Sequence, residues 1–252
     1  MIVFNSMIRI ITKIQRKLGL LTGFHIRVKR FTTSASDSYR LYKLLKHKEI
    51  NCIIDIGANE GQFVEQLLDY GFKGKVISFE PTIRAHSIIS KKSLKHSNWV
   101  VAERCAIGDK RQKTEIHVSR NSVFSSILPI VSDQVQNAKS SVVDHVETVQ
   151  IYTLDEIIGE YIDLRKYNCL LKVDTQGFEY QVLQGATKSI REFVGLAIEI
   201  PLFPIYEGVS FDYFTMNDWL RKEGYTPYSF KNEGVNYKTG RVNTIDGIFF
   251  KI

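Results

Sequence analysis

Short apolar runs, each ending in an acid, a glycine or a proline and each followed by a helix-periodic segment, constrain this chain more than any other feature. The first is Cys52 to Ile56, which runs into Asp55-Ile56-Gly57-Ala58-Asn59-Glu60-Gly61 and a helix with Val64, Leu67 and Leu68 inward. Lys75 to Phe79 with the helix Ile83 to Leu94 repeats the pattern, and Trp99 to Cys105 reads as a third strand. Cys169 to Val173 follows, with Val182, Leu183 and Ala186 on the next helix; then come Val194 to Ile200 and the helix Tyr213 to Lys222. Tyr225 to Phe230 and Ile245 to Phe250 read as the last two strands, and Tyr39 to Glu49 as a helix ahead of the series. Strands alternating with helices predict an α/β fold with a mostly parallel, doubly wound sheet.

One region breaks the alternation. Ile116 to Val118 and Val146 to Ile151 read as a strand pair, separated by a polar stretch of more than twenty residues that includes Ser119, Ser125, Ser126 and Ser141. Stretches of that length inside a compact domain usually belong to function, so a substrate loop or active-site lid is expected here.

The chain has 252 residues, enough for one large α/β domain with a short appendage. Charge divides it in the same way. Residues 1–36 hold seven basic residues and no acid, so the other 27 basic residues balance all 27 acids. A neutral domain is a poor match to nucleic acid, and none is expected as a partner. Within the basic segment, Met7, Ile11, Ile14, Leu18 and Leu21 form one helical stripe opposite Arg9, Lys13, Arg16 and Lys17. Residues 7–22 therefore suit an anionic membrane surface, or packing on protein. The expected division is residues 1–36 as basic segment and linker, and 37–252 as the domain. No apolar run is long enough to span a bilayer, and charges interrupt any secretory signal. Cys52, Cys105 and Cys169 are too few and too scattered for a disulfide framework or a zinc site and read as buried thiols.

Ligands of open α/β sheets bind beyond the carboxyl ends of the strands, and there the sequence is polar. Asp55-x-Gly57-x-Asn59-x-Gly61 lacks the third glycine of the dinucleotide pattern and the Gly-Lys-Ser/Thr of a triphosphate loop. It suits a nucleoside-type ligand without phosphates, which argues against a nicotinamide-dependent oxidoreductase. Glu80, after the second strand and before Pro81, is spaced to take ribose hydroxyls. Small residues at Cys105 and Ala106 leave room for a flat adenine ring. After the fourth strand, Lys172-Val173-Asp174-Thr175-Gln176-Gly177-Phe178-Glu179 places two carboxylates across a glycine turn, and Glu199 ends the fifth strand. Grouped carboxylates at a cleft serve acid, base or metal roles, and a helix start with Asp174 as its cap is the structural alternative.

Taken in order, these segments resemble the FkbM family of S-adenosylmethionine-dependent methyltransferases. The matching pieces are Asp55–Gly61, Phe79-Glu80-Pro81, Ala106–Asp109, Ser125-Ser126, Lys172–Glu179, Gly185-Ala186, and Glu199 with Tyr206-Glu207-Gly208. The resemblance implies a class I methyltransferase fold, Rossmann-like, with a seven-stranded sheet whose last strand is antiparallel. By that likeness Asp55, Gly57, Asn59 and Gly61 line the methionine part of the cofactor, Glu80 binds its ribose, and Cys105 and Ala106 flank its adenine. It further implies an O-methyltransferase acting on a hydroxyl of a sugar or glycolipid, or else of a small secondary metabolite.

An acceptor oxygen must be held in line with the methyl carbon and must lose its proton, which a carboxylate in a dry site accomplishes. Asp174 is the expected base, with Glu179 and Glu199 orienting the acceptor. Ser125, Ser126 and Gln176 supply hydroxyl and amide contacts. A divalent ion on Asp174 and a neighbour is the alternative not preferred. A cytoplasmic enzyme working against the inner membrane surface is the expected setting, in a pathway of polysaccharide biosynthesis. A membrane-tethered scaffold without chemistry is the competing reading, and the polar residues at four strand ends weigh against it.

Overall fold

β1 (Cys52–Ile56) is buried at every position. Its side chains alternate between faces, so Cys52, Ile54 and Ile56 enter one hydrophobic cluster and Ile53 another. A strand apolar on both faces must lie inside a sheet covered by helices on both sides. The computed structural model places it so, and describes residues 32–34, 36–129, 142–203, 206–208, 211–236 and 238–252. The amphipathic segment 7–22 lies outside the described residues. Residues 41–252 form one compact unit.

The elements follow as α1 (Asp37–His47), β1, α2 (Gln62–Asp69), β2 (Lys75–Phe79), α3 (Ile83–Ser93) and β3 (Trp99–Val101). An inserted section holds β4 (Ala106–Ile107), β5 (Gln112–Ser119) and β6 (Val143–Tyr152). Then come α4 (Leu154–Ile157), β7 (Cys169–Val173), α5 (Glu179–Gln184), β8 (Phe193–Pro201), α6 (Tyr213–Lys222), β9 (Tyr225–Val235) and β10 (Val242–Lys251).

The main sheet has seven strands in the order β3-β2-β1-β7-β8-β10-β9. The first five run parallel, and β10, the last in sequence, is antiparallel to both β8 and β9. Leu45, Val64, Leu67 and Ile89 from α1 to α3 cover one face. Leu154, Val182, Leu183, Met216 and Leu220 from α4 to α6 cover the other. The doubly wound, seven-stranded architecture read from the sequence is therefore the one observed. β1 and β7 are neighbours from which the chain winds outward in opposite directions, so a crevice opens at their carboxyl ends.

One strand differs from expectation. β3 stops at Val101, because the chain then turns out of the main sheet after Ala102 donates its N–H to Ser78 O at 2.9 Å. Cys105 follows in that turn, and Ala106-Ile107 pairs in parallel with Ile151-Tyr152. This builds a second, three-stranded sheet, β4-β6-β5, in which β5 and β6 are the expected strand pair in longer form, running antiparallel. Ala106, Ile116, Val149 and Ile151 form its apolar side, and Phe178 from the loop after β7 packs into it.

Candidate active site

The crevice between β1 and β7 is closed tightly at its base. Gly57 has φ +76°, and a Cβ there would lie 1.8 Å from the carbonyl oxygen of Asp174. Only glycine lets the two strand-end loops approach so closely. The cavity above them is walled by Gly57 and Asn59 after β1, Glu80 to Thr82 after β2, and Cys105 to Ile107. Ile116, Ser122, Val123, Ser125 and Ile127 of the inserted section form the facing wall. Asp174 to Gln176, Glu199, Glu233 and Asp246 complete the far end. Because β2 and β8 flank the β1–β7 pair on opposite sides, the cavity has a β2 end and a β8 end of different chemistry.

At the β2 end Glu80 is buried and held by three donors. Asn59 N donates to Oε2 at 2.8 Å, and Thr82 N and Oγ1 donate to Oε1 at 2.9 and 2.6 Å. Burial pushes the Glu80 carboxyl above its ordinary range, while the Thr82 and Asn59 hydrogen bonds pull it back. Two carboxylate oxygens offer about four acceptor directions, so the carboxylate keeps capacity for a ligand hydroxyl. Asn59 is itself in the left-handed region, φ 48°, and its buried Oδ1 has no partner among the described residues. Cys105 and Ala106 stand on the wall, and burial raises the Cys105 thiol to about 12, which keeps it neutral.

Asp55 and Gly61 do not reach the wall. Asp55 is fully buried beneath it, 3.1 Å from Lys172 Nζ, and accepts from Ser78 Oγ at 3.3 Å. Gly61 packs on Trp99, where a Cβ would come within 2.7 Å of the indole ring. Both residues shape the glycine loop from behind.

The β8 end is acidic. Asp174 Oδ2 lies 3.5 Å from Lys172 Nζ, and Oδ1 accepts from Gln176 Nε2 at 2.8 Å. Gln176 Nε2 also donates to Glu199 Oε2 at 3.0 Å. Glu199 sits opposite Asp246 on β10, which sits opposite Lys231 on β9, so three charged residues line up across three strands. Lys231 pairs with Asp246 at 3.3 Å and with Glu233. Burial raises Asp246 to about 6, helped by Glu233 and Asp174 and opposed by Lys231.

Of three residues expected at the acceptor, two are committed to the loops and one lines the wall. Glu179 is buried behind the turn, where its carboxylate accepts from Thr175 N at 2.8 Å and from Gly177 N at 3.0 Å. Burial raises it to about 7 against these hydrogen bonds. Ser126 is also buried, donating from Oγ to Gln176 O at 2.6 Å and bridging to His117. It ties the inserted section to the β7 loop. Ser125 is on the wall, with its Oγ accepting from Ser119 N at 3.1 Å. The later part of the polar stretch, 130–141, lies outside the described residues.

Four residues escaped the sequence reading. Lys172 belongs to a motif whose pattern assigns it no role, although a lysine in a fully buried apolar strand is itself a signal. Lys231, Glu233 and Asp246 reach the site only through strand pairing and leave no local trace. The acids do not form a metal-holding cluster: among the described residues no group of three or more His, Cys, Asp or Glu has that arrangement. His145 lies on the surface between Asp144 and Glu147, away from the cavity wall.

The cavity thus has two chemically different ends, with Glu80 and Asn59 at one and Asp174, Glu199 and Asp246 at the other. Among the described residues no helix is long and apolar enough to cross a membrane. No curated protein sequence matches the chain. Among solved structures it is similar to the methyltransferase domain of bacterial CtHen1, at 11% identity over 87% of this chain and 99% of that one, TM-score 0.42. It is similar to TehB from Haemophilus influenzae at 10% identity over 84% of this chain and 62% of that one, TM-score 0.47. A SAM-dependent methyltransferase from Aquifex aeolicus gives 13% identity over 88% and 100% of the two chains, TM-score 0.43. The family described as the methyltransferase FkbM domain matches residues 55–227, from the first glycine loop to the strand after α6. With that match over most of its length, the chain belongs to the FkbM family of methyltransferases.

Proposed function

We propose that this methyltransferase uses S-adenosylmethionine to methylate a hydroxyl of a sugar or glycolipid, with Asp174 as the base. The observation that carries the reading is the two-ended cavity: Glu80 and Asn59 at one end, and Asp174, Glu199 and Asp246 at the other. The β2 end fits the cofactor, since Asn59 Oδ1 is a buried oxygen in want of a donor and Glu80 is fixed with acceptor capacity to spare. Glu80 and Asn59 would hold its nucleoside, beside Cys105 and Ala106. When bound, the cofactor supplies a methyl group on a good leaving group, a sulfonium.

The protein's own residues do the rest. Lys172 neutralises Asp55 beneath the floor and holds one oxygen of Asp174. Gln176 holds the other oxygen. Asp174 takes the acceptor's hydroxyl proton as that oxygen gains the methyl group. Glu199 and Asp246 accept from neighbouring hydroxyls, which a polyol supplies in numbers. Ser122, Val123 and Ser125 cover the cavity and limit water, which strengthens each of these contacts.

The test is transfer of a labelled methyl group from S-adenosylmethionine to a panel of nucleotide sugars, glycolipids and phenolic metabolites. Label in the carbohydrate arms, lost in Asp174→Asn, is expected. Label confined to the phenolic arm overturns the acceptor class, and full activity in Asp174→Asn overturns the base.

The basic segment 7–22 supports a cytoplasmic enzyme that works at an anionic membrane surface. Replacing Arg9, Lys13, Arg16 and Lys17 with glutamine should weaken partitioning onto phosphatidylserine vesicles by on the order of 1,000-fold, at roughly 1 kcal/mol per basic residue near the surface. Unchanged partitioning removes the membrane role.

A further inference from the structure

Gln176 occupies a conformation that asks for an explanation. Its backbone is left-handed, φ 55°, which a residue other than glycine keeps only when its surroundings compensate. The side chain is held at every polar atom. Nε2 donates to Asp174 Oδ1 at 2.8 Å and to Glu199 Oε2 at 3.0 Å. The hydroxyl of Tyr206 donates to Oε1 at 2.7 Å, and Ser126 Oγ donates to the backbone carbonyl at 2.6 Å. With both acids ionised each can only accept, so the amide hydrogens point to the acids and the amide oxygen faces Tyr206. Tyr206 is buried, and Gly177 makes room for its ring, since a Cβ there would come within 2.7 Å of it. The amide therefore has one orientation.

An amide differs from the lysine on the other side of Asp174. Lys172 neutralises the charge it touches, whereas Gln176 holds two acids without removing their charge. We propose that Gln176, locked by Tyr206, is a positioning residue that spaces Asp174 and Glu199 so that both carboxylates face one acceptor group. This deepens the reading of the β8 end as the acceptor end and rests on it. It also assigns Tyr206 a role: the phenol acts through the amide and touches no ligand itself.

The charges around Glu199 set the sign of the test. Asp174 faces it from the end of β7, with Lys172 behind; Glu179 lies on α5; Asp246 and Thr244 lie on β10, with Lys231 and Glu233 beyond on β9. Burial pushes the Glu199 carboxyl well above its ordinary range, Asp174, Glu179 and Asp246 push the same way, and the Thr244 hydroxyl pulls it back. The Gln176 amide also donates to the charged form, so its loss must raise Glu199 further.

Carbon-13 carboxyl NMR of the full chain reads this directly, with Glu199→Gln to assign the signal and no acceptor needed. In Gln176→Met, which keeps length and loses both donors, the Glu199 midpoint should rise by about one pH unit. Gln176→Glu should raise it at least as far, because a like charge replaces a donor. Tyr206→Phe frees the amide to rotate and should give a smaller rise. An unmoved midpoint in folded Gln176→Met overturns the proposal, since a residue that only fills space would leave the titration alone. If that variant does not fold, Tyr206→Phe decides, and an unmoved Glu199 again overturns it. The measurement requires no methyl transfer. Failure of the enzymatic reading would appear as activity surviving Asp174→Asn, with the Glu199 shift untouched.

Discussion

Glu80→Ala should weaken binding of S-adenosylhomocysteine by roughly 10- to 100-fold in a calorimetric titration, because one charge-assisted hydrogen bond at about 1.5–3 kcal/mol would be lost and each 1.4 kcal/mol is about tenfold. The product of the cofactor is the better probe, as it does not react during the titration. The carboxylate is positioned before any ligand arrives: Asn59 N and both donors of Thr82 fix it. Its removal leaves those donors without their acceptor, so the variant should also lose stability. Glu80→Gln separates the two effects. It keeps the shape and one acceptor oxygen, and its affinity should fall between wild type and Glu80→Ala. NAD should bind neither protein. Equal binding by wild type and Glu80→Gln would remove the ribose role.

The largest loss of stability is expected from Lys172→Met. Lys172 Nζ lies 3.1 Å from Asp55 Oδ1 and 3.5 Å from Asp174 Oδ2, and donates to Gly57 O at 3.1 Å. Asp55 is 0% exposed, so water cannot replace the lysine. Removing one partner of a buried pair costs about 3–5 kcal/mol because a charge is left uncompensated. For a domain of this size that is a fall of roughly 10 °C in Tm. Adding Asp55→Asn to Lys172→Met should recover part of the loss, because the orphaned charge goes with it. A double variant no more stable than Lys172→Met would mean that the lysine matters through packing over Phe63, 5.4 Å away, rather than through charge.

The two variants illustrate how unevenly the site was legible. Glu80 follows an apolar strand at a diagnostic spacing from a glycine loop, so its position and its chemistry are both local properties of the chain. Asp174 and Glu199 were legible in the same way, as acids at the ends of buried strands. Glu179 belongs to the same motif, yet its side chain turns under the loop to bind Thr175 and Gly177. Spacing cannot tell a residue that faces a ligand from one that holds the backbone facing it. Ser126 misled for the same reason: a serine in a polar stretch reads as a contact, and its hydroxyl is committed to Gln176 O.

The alternation of strands and helices, the two buried faces of the sheet, the glycine loop and the acids at the strand ends are all written in the order of the residues. Each depends on neighbours in the chain, through side-chain period or turn chemistry, and so survives in one dimension. Strand pairing alone puts Lys172 in register with Asp55 and sets Glu199, Asp246 and Lys231 in one row across three strands. Those pairings join residues far apart in sequence through hydrogen-bonded registers that no local pattern encodes. Only there do Glu199 and Asp246 line the same end of one cavity, where burial and neighbouring acids raise both above the ordinary carboxylate range.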